Sequence, residues 1–283
     1  MLNRIDLKFR KLKKENKKAL IVYLTCGYPN LSTTEKLALE LDRQGVDIIE
    51  LGVPFSDPLA DGPVIQEASH YALGRNKINL AKIFSLVKRL RRKTQIPICL
   101  MGYYNPIFSY GEERFVADSV QNGVDGVIIP DLPPEEAGGL IAAANKNNFS
   151  TIFLLSPTSS PRRVKLISQK SKGFIYYVSL AGVTGARKNL PADLADKVRS
   201  IKRQTKKPAC VGFGISSREH VKQVSNIADG AIIGSAVIKL IRENIGKKDL
   251  VAKVGRFVAT LQTKKPEKKK KAVIARNPCL VCQ

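Results

Sequence analysis

One carboxylate interrupts an otherwise apolar run: Glu50, close to the end of Asp47-Ile-Ile-Glu-Leu-Gly-Val53. Burying an unpaired carboxylate is costly, and desolvation raises its pKa toward the range useful for proton transfer. A structural carboxylate, satisfied by backbone or by a basic side chain, accounts for the same pattern. Asp61 follows in a Pro- and Gly-rich loop, Pro54-Phe-Ser-Asp57-Pro-Leu-Ala-Asp61-Gly-Pro63, that can fold back over the end of the run. Asp57 reads as a turn former, and Asp61-Gly62-Pro63 taken alone reads as a turn too. Asp131, after Ile128-Ile-Pro, is a third carboxylate in the same layer.

Three glycine-bearing turns follow the late apolar runs: Leu180-Ala-Gly182-Val-Thr184-Gly185, Gly212-Phe-Gly214-Ile-Ser216 and Gly234-Ser235. Glycine lets backbone N–H groups approach an anion without a Cβ in the way. One such turn is weak evidence; three in succession point to a phosphate monoester. Other chemistries lack their residues. His70 and His220 are the only histidines, and both fall in predicted helices, where surface or packing roles are expected. No Cys, His and acid grouping has metal-ligand spacing, and no histidine is placed for a serine triad. The central apolar runs contain no lysine for a Schiff base. Proton transfer by carboxylates is what remains.

Strands are predicted over 19–27, 47–53, 97–103, 125–130, 151–155, 174–179, 209–214 and 231–234, and amphipathic helices between them. The runs are continuously apolar, as in parallel strands covered on both faces. Ser32-Thr-Thr-Glu35 and Ser216-Ser-Arg-Glu219 read as capping boxes, and Pro161 after Ser160 as a helix start. Gly45 and Gly123 stand where helices should stop. Leu194, Val198 and Ile201 predict one buried helix face, and Phe115, Val116 and Val120 another. Eight strand–helix units match a (β/α)8 TIM barrel, with an open doubly wound sheet as the rival, and place the chemistry on loops after the strand C-termini.

The 283 residues are 43% hydrophobic and 25% charged, an ordinary globular composition. No stretch approaches the ~20 apolar residues of a membrane span. The net charge of +24 invites a nucleic-acid reading. It is uneven: residues 1–18 and 263–283 each carry +6, which leaves 24 − 6 − 6 = +12 for the middle. At the N-terminus Leu2, Ile5, Phe9 and Leu12 predict a helix docked on the domain. The Lys-rich segment 263–283 reads as a solvated, disordered tail, so the expected division is a catalytic domain 1–262 and a tail 263–283. Its Cys279 and Cys282 alone are a weak metal signal, and Cys26, Cys99 and Cys210 sit in apolar runs as small hydrophobes. Five cysteines without a signal peptide fit a reducing cytoplasm.

The segment Glu50-Leu-Gly-Val-Pro-Phe-Ser-Asp-Pro-Leu-Ala-Asp61-Gly-Pro-Val-Ile-Gln66 resembles the signature of the tryptophan synthase alpha chain family. The glycine turns at 182–185, 212–216 and 234–235 fall in that family's order and spacing. The resemblance implies retro-aldol cleavage of indole-3-glycerol phosphate to indole and glyceraldehyde 3-phosphate, with Glu50 as general acid/base and Asp61 as second catalytic carboxylate. It implies that Gly185, Gly214, Gly234 and Ser235 hold the phosphate, and that Gly182 and Thr184 belong to a closing loop. Leu100, Tyr103 and Tyr176 would flank the indole, with Tyr23 at the mouth. Tyr23 stands where the family often has Phe, and Leu180 where some members have Arg. No cofactor is implied in this chain; pyridoxal phosphate would belong to a beta chain partner in an alpha2beta2 tetramer, with the loop Pro54–Asp61 at the interface. A cytoplasmic location follows, or a plastid for an organelle-encoded chain.

A sugar-phosphate isomerase of histidine biosynthesis would need aspartates ending the first and fifth strands, where this chain has Cys26-Gly27 and Leu155-Ser156. Indole-3-glycerol phosphate synthase would need a strand lysine. A nucleic-acid binder would interleave aromatic and basic residues, and residues 263–272 contain no aromatic.

Overall fold

The computed structural model describes residues 3–178, 190–212 and 214–262. All eight expected runs form strands, with ends moved by a residue or two. They are β1 (Ala19–Thr25), β2 (Ile48–Gly52), β3 (Ile98–Met101), β4 (Gly126–Ile128), β5 (Ser150–Ile152) and β6 (Leu154–Leu155), then β7 (Ile175–Val178), β8 (Ala209–Gly212) and β9 (Gly230–Ile233). The helices are α1 (Arg4–Lys14), α2 (Leu31–Arg43), α3 (Pro63–Asn76), α4 (Leu80–Arg91), α5 (Tyr104–Tyr110) and α6 (Glu112–Asn122). They continue with α7 (Gly138–Lys146), α8 (Pro161–Lys170), α9 (Leu194–Gln204), α10 (Arg218–Ile227), α11 (Ser235–Arg242) and α12 (Leu250–Leu261).

Every strand pair is parallel, in the order β5-β4-β3-β2-β1-β9-β8-β7-β6. The two ends of that order, β5 and β6, are consecutive pieces of one extended stretch interrupted at Phe153. The Phe153 carbonyl accepts the Tyr176 N–H at 3.2 Å, and that of Thr151 accepts Lys172 N–H at 2.8 Å. The sheet therefore closes on itself, and the architecture is the TIM barrel rather than the open sheet.

Helix α1 seals the N-terminal end. Its Ile5, Phe9 and Leu12 are buried, and Phe9 packs on Phe174 with ring centroids 5.7 Å apart. Leu2 lies outside the described residues. Three aspartates repeat one device at this end: each precedes a strand and accepts the N–H near the start of a neighbouring strand. Asp47 takes Leu20 N–H at 2.9 Å, Asp125 takes Ile98 N–H at 2.8 Å and Asp229 takes Ala209 N–H at 3.1 Å. Cations complete them: Lys8 on Asp47, Arg4 and Arg91 on Asp125, and Lys18 and Lys202 on Asp229. Part of the basic excess thus neutralises the buried Asp125 and the half-buried Asp47 and Asp229 at the barrel base.

Some local readings need correction. Asn30, not Ser32, caps α2, accepting Thr33 N–H, while Glu35 turns to Arg89 and Lys93. Ser217 rather than Ser216 caps α10, accepting His220 N–H. Val120 is 38% exposed, and Ser119 is buried on that face of α6. Ser160 before Pro161 does cap α8, and Gly45 and Gly123 end their helices with φ of 81° and 92°.

Candidate active site

The strands' C-terminal ends open onto a cavity of about 460 Å³, lined among others by Tyr23, Glu50, Asp61, Met101, Tyr176, Gly214, Gly234 and Ser235. Most of its wall is apolar, which makes every charge in it strong.

Glu50 is central in β2, where it is in register with Tyr23 on one side and Cys99 on the other. It is fully buried, and neither carboxylate oxygen has a hydrogen-bond partner among the described residues. The structural reading required such partners. Desolvation alone therefore acts on the group and pushes its pKa up to about 8. Glu50 holds its proton at neutral pH and lies against space that a ligand can fill.

Asp61 comes from the loop between β2 and α3, turned by the Asp61 N–H bond to the Pro58 carbonyl at 3.0 Å. The Gln66 amide returns from α3 to the Asp61 carbonyl at 3.0 Å. Asp61 is 8% exposed, and its carboxylate accepts the Tyr103 hydroxyl at 3.1 Å. Burial raises its pKa to about 6, and the Tyr103 hydrogen bond opposes the rise. Two acids in one cavity are thus pulled apart, one protonated and one ionised near pH 7, an arrangement suited to acid–base work. Asp57 is exposed in the same loop beside Ser56, as a turn residue.

Tyr103 lies outside the cavity lining. It stacks on Phe55 at 5.2 Å and donates its hydroxyl to Asp61, which does line the cavity. The expected place of Leu100 needs correction. Successive strand residues face opposite sides, and Glu50 pairs with Cys99 while Leu51 pairs with Leu100. Met101 lines the cavity; Leu100 is fully buried away from it. Tyr23 and Tyr176 do line it, each pressed against a glycine. A Cβ on Gly52 would meet the Tyr23 hydroxyl at 2.0 Å, and one on Gly212 that of Tyr176 at 2.4 Å. Both phenols are buried and held well above their ordinary pKa, chiefly by desolvation, so they remain proton donors.

Gly214, with φ of 76°, and the Gly234-Ser235 turn also line the cavity. Ser235 begins α11, and no side chain caps that end, so its leading N–H groups are left to an anion. Gly182, Thr184 and Gly185, with Leu180, lie outside the described residues, as do Cys279 and Cys282. Asp131 is an exposed residue that accepts the Tyr104 N–H at 3.0 Å and so caps α5 from outside; it does not line the cavity. His70 is exposed with Nε2 2.9 Å from the Ser56 carbonyl, and His220 is buried in α10. Among the described residues, no group of His, Cys, Asp and Glu is arranged to hold a metal.

The sequence profile of the family described as "Tryptophan synthase alpha chain" matches residues 9–268. The chain belongs to the tryptophan synthase alpha chain family. Its relatives in that family include the tryptophan synthase alpha chain of Geotalea daltonii, 49% identical over 261 residues that cover 92% of this chain and 98% of the relative. That of Caldanaerobacter subterraneus is 45% identical, covering 92% and 99%. Among solved structures, subunit alpha of tryptophan synthase from Legionella pneumophila superposes with a TM-score of 0.85 at 40% identity, covering 92% and 97%. A chain from the Pyrococcus furiosus tryptophan synthase a2b2 complex superposes with a TM-score of 0.80 at 40% identity, covering 86% and 97%. The family match also begins inside α1 and runs past residue 262.

Proposed function

We propose that this chain cleaves indole-3-glycerol phosphate to indole and glyceraldehyde 3-phosphate, with Glu50 as the general acid/base and Asp61 as the stabilising carboxylate. The observation that carries the assignment is the fully buried, unpartnered Glu50 carboxyl in the wall of the cavity that also holds Asp61. Breaking the bond between indole C3 and the hydroxyl-bearing carbon needs a proton on C3. Glu50, raised to about 8, supplies it. The positive charge that then develops at the indole N–H is met by ionised Asp61 in a mostly apolar cavity. Removal of the hydroxyl proton by the Glu50 carboxylate forms the aldehyde, and the electrons of the broken C–C bond restore the aromatic indole. Glu50 gives one proton and recovers one, so the cycle balances without a redox or carbonyl-trapping group in this chain.

Tyr23, Met101 and Tyr176 form the apolar walls suited to the indole, and Gly214, Gly234 and Ser235 bind the phosphate. Gly185 and a loop carrying Gly182 and Thr184 complete the closure in this reading. The indole passes to a beta chain that carries pyridoxal phosphate, for L-tryptophan synthesis. Two exposed apolar side chains on the mouth side fit a docking surface for it: Leu59 in the loop after β2, 86% exposed, and Phe108 on α5, 67% exposed. Among the described residues no helix is long and apolar enough to cross a membrane, and we place the enzyme in the cytoplasm. Residues 1–262 are the catalytic unit and 263–283 an appended basic tail. The test is indole release from indole-3-glycerol phosphate by the purified chain, alone and with a beta chain. Absence of release in both would overturn the assignment.

A further inference from the structure

The cavity has a charge balance that fits poorly with an anionic substrate. Three acidic side chains line it, Glu50 in its protonated form together with Asp61 and Glu243, against a single ammonium among the described lining residues, that of Lys239. A phosphate monoester brings close to two negative charges, and an unscreened carboxylate near its path raises the cost of entry.

Lys239 stands one turn beyond Ser235 on α11, and Ala236, Lys239, Leu240 and Glu243 make the side of this helix that borders the cavity. Four residues of helical rise, about 6 Å, separate Lys239 from Ser235, a span that a lysine side chain covers once it leaves Glu243. Its Nζ is 4.0 Å from Glu243 Oε1, with the two side chains 58% and 52% exposed. A long, solvated pair of this kind is worth little and is easily exchanged for a better acceptor.

We propose that Lys239 recruits the substrate phosphate, leaving Glu243 to pair with the dianion as it settles on the Gly234-Ser235 turn. The proposal rests on reading the cavity as a phosphate-ester site. Lys239 lines the cavity on the same helix as Ser235 and acts in this proposal on the phosphate alone, so it sets KM and leaves kcat to the two acids. Its contribution is electrostatic and partly solvated, and therefore falls with salt.

The experiment measures indole release by the full-length wild type, K239M, K239R and E243Q at low and high ionic strength, with glycerol 3-phosphate as a binding probe. The expected result for K239M is a KM and a glycerol 3-phosphate Kd raised about five- to tenfold at low salt. Its kcat and melting temperature should match the wild type, and its KM should respond less to salt. K239R should restore most of the affinity. E243Q, which frees the ammonium and removes a carboxylate, should lower KM. A K239M enzyme with wild-type KM and salt dependence, or one that loses kcat at unchanged KM, would overturn the proposal while leaving the assigned reaction intact. A wild type that neither releases indole nor binds glycerol 3-phosphate would instead remove the underlying assignment.

Discussion

The Tyr103 hydroxyl donates to Asp61 Oδ2 at 3.1 Å and accepts the Ala60 N–H at 2.9 Å. One phenol thereby ties the carboxylate to the backbone of its own loop and favours its charged form. In Tyr103→Phe the desolvation of Asp61 is unopposed, and its pKa should climb above about 6. The acid limb of the rate profile should move to higher pH, with activity at pH 7 reduced and the alkaline limb unmoved. An acid limb that stays in place would separate Tyr103 from Asp61.

For the wild type the two raised pKa values define a window. Asp61 works ionised, so kcat/KM should fall as pH drops through about 6. Glu50 works protonated at the start of the cycle, so kcat/KM should fall again as pH rises through about 8. A bell centred near neutrality is the expected profile for indole release. A rate that keeps rising beyond pH 9 would contradict the role of Glu50 as acid.

Function and stability pull against each other at Glu50. Its pKa in the folded protein, about 8, stands above the ordinary 4.5. Between those values the unfolded chain has lost the proton and the folded one keeps it. Stability is therefore full below pH 4.5 and lost progressively as pH rises toward 8, by on the order of 1 kcal/mol per pH unit. Glu50→Gln cannot ionise and should escape this loss. Urea unfolding should show the variant gaining on the wild type from pH 5 to pH 8; a difference independent of pH would contradict the shifted carboxyl.

Close packing at Gly212 makes a separate prediction. A methyl there would lie 2.4 Å from the Tyr176 hydroxyl and 2.5 Å from its ring. Gly212→Ala should drive the ring into the cavity, raising KM about tenfold or more and costing about 1–3 kcal/mol of stability. Gly74 sits within α3 with nothing within 4 Å of an added methyl. Gly74→Ala should stabilise by about 0.5–1 kcal/mol and leave kinetics alone. Equal kinetic effects from the two would refute the packing argument.

The barrel and Glu50 are legible because one repeats a pattern and the other breaks it, apolar runs at regular intervals and one acid inside such a run, whereas Asp61 reads as a turn residue until the resemblance marks it. Leu100 and Met101 were not distinguishable. A strand covered on both faces is apolar throughout, so nothing in β3 tells which residues turn inward until the register with Glu50 is known. Asp131 is ambiguous for a related reason, since an acid after a strand can face the cavity or cap the helix of the neighbouring unit, and the Tyr104 N–H of α5 decides. The cap of α2 went to Asn30 because its side chain reaches Thr33 N–H while Glu35 is held by Arg89 and Lys93. Nothing in the sequence sets Lys239 and Glu243 apart, and only the cavity joins them to the site.

The most direct test of the central claim is indole release from indole-3-glycerol phosphate by Glu50→Gln at pH 7. The buried, unpartnered carboxyl is the proposed proton source, and glutamine fills the same space without a transferable proton. The variant should fold, bind substrate with nearly unchanged affinity and lose activity by about two to four orders of magnitude. Turnover within a few-fold of the wild type would show that Glu50 does not carry the proton.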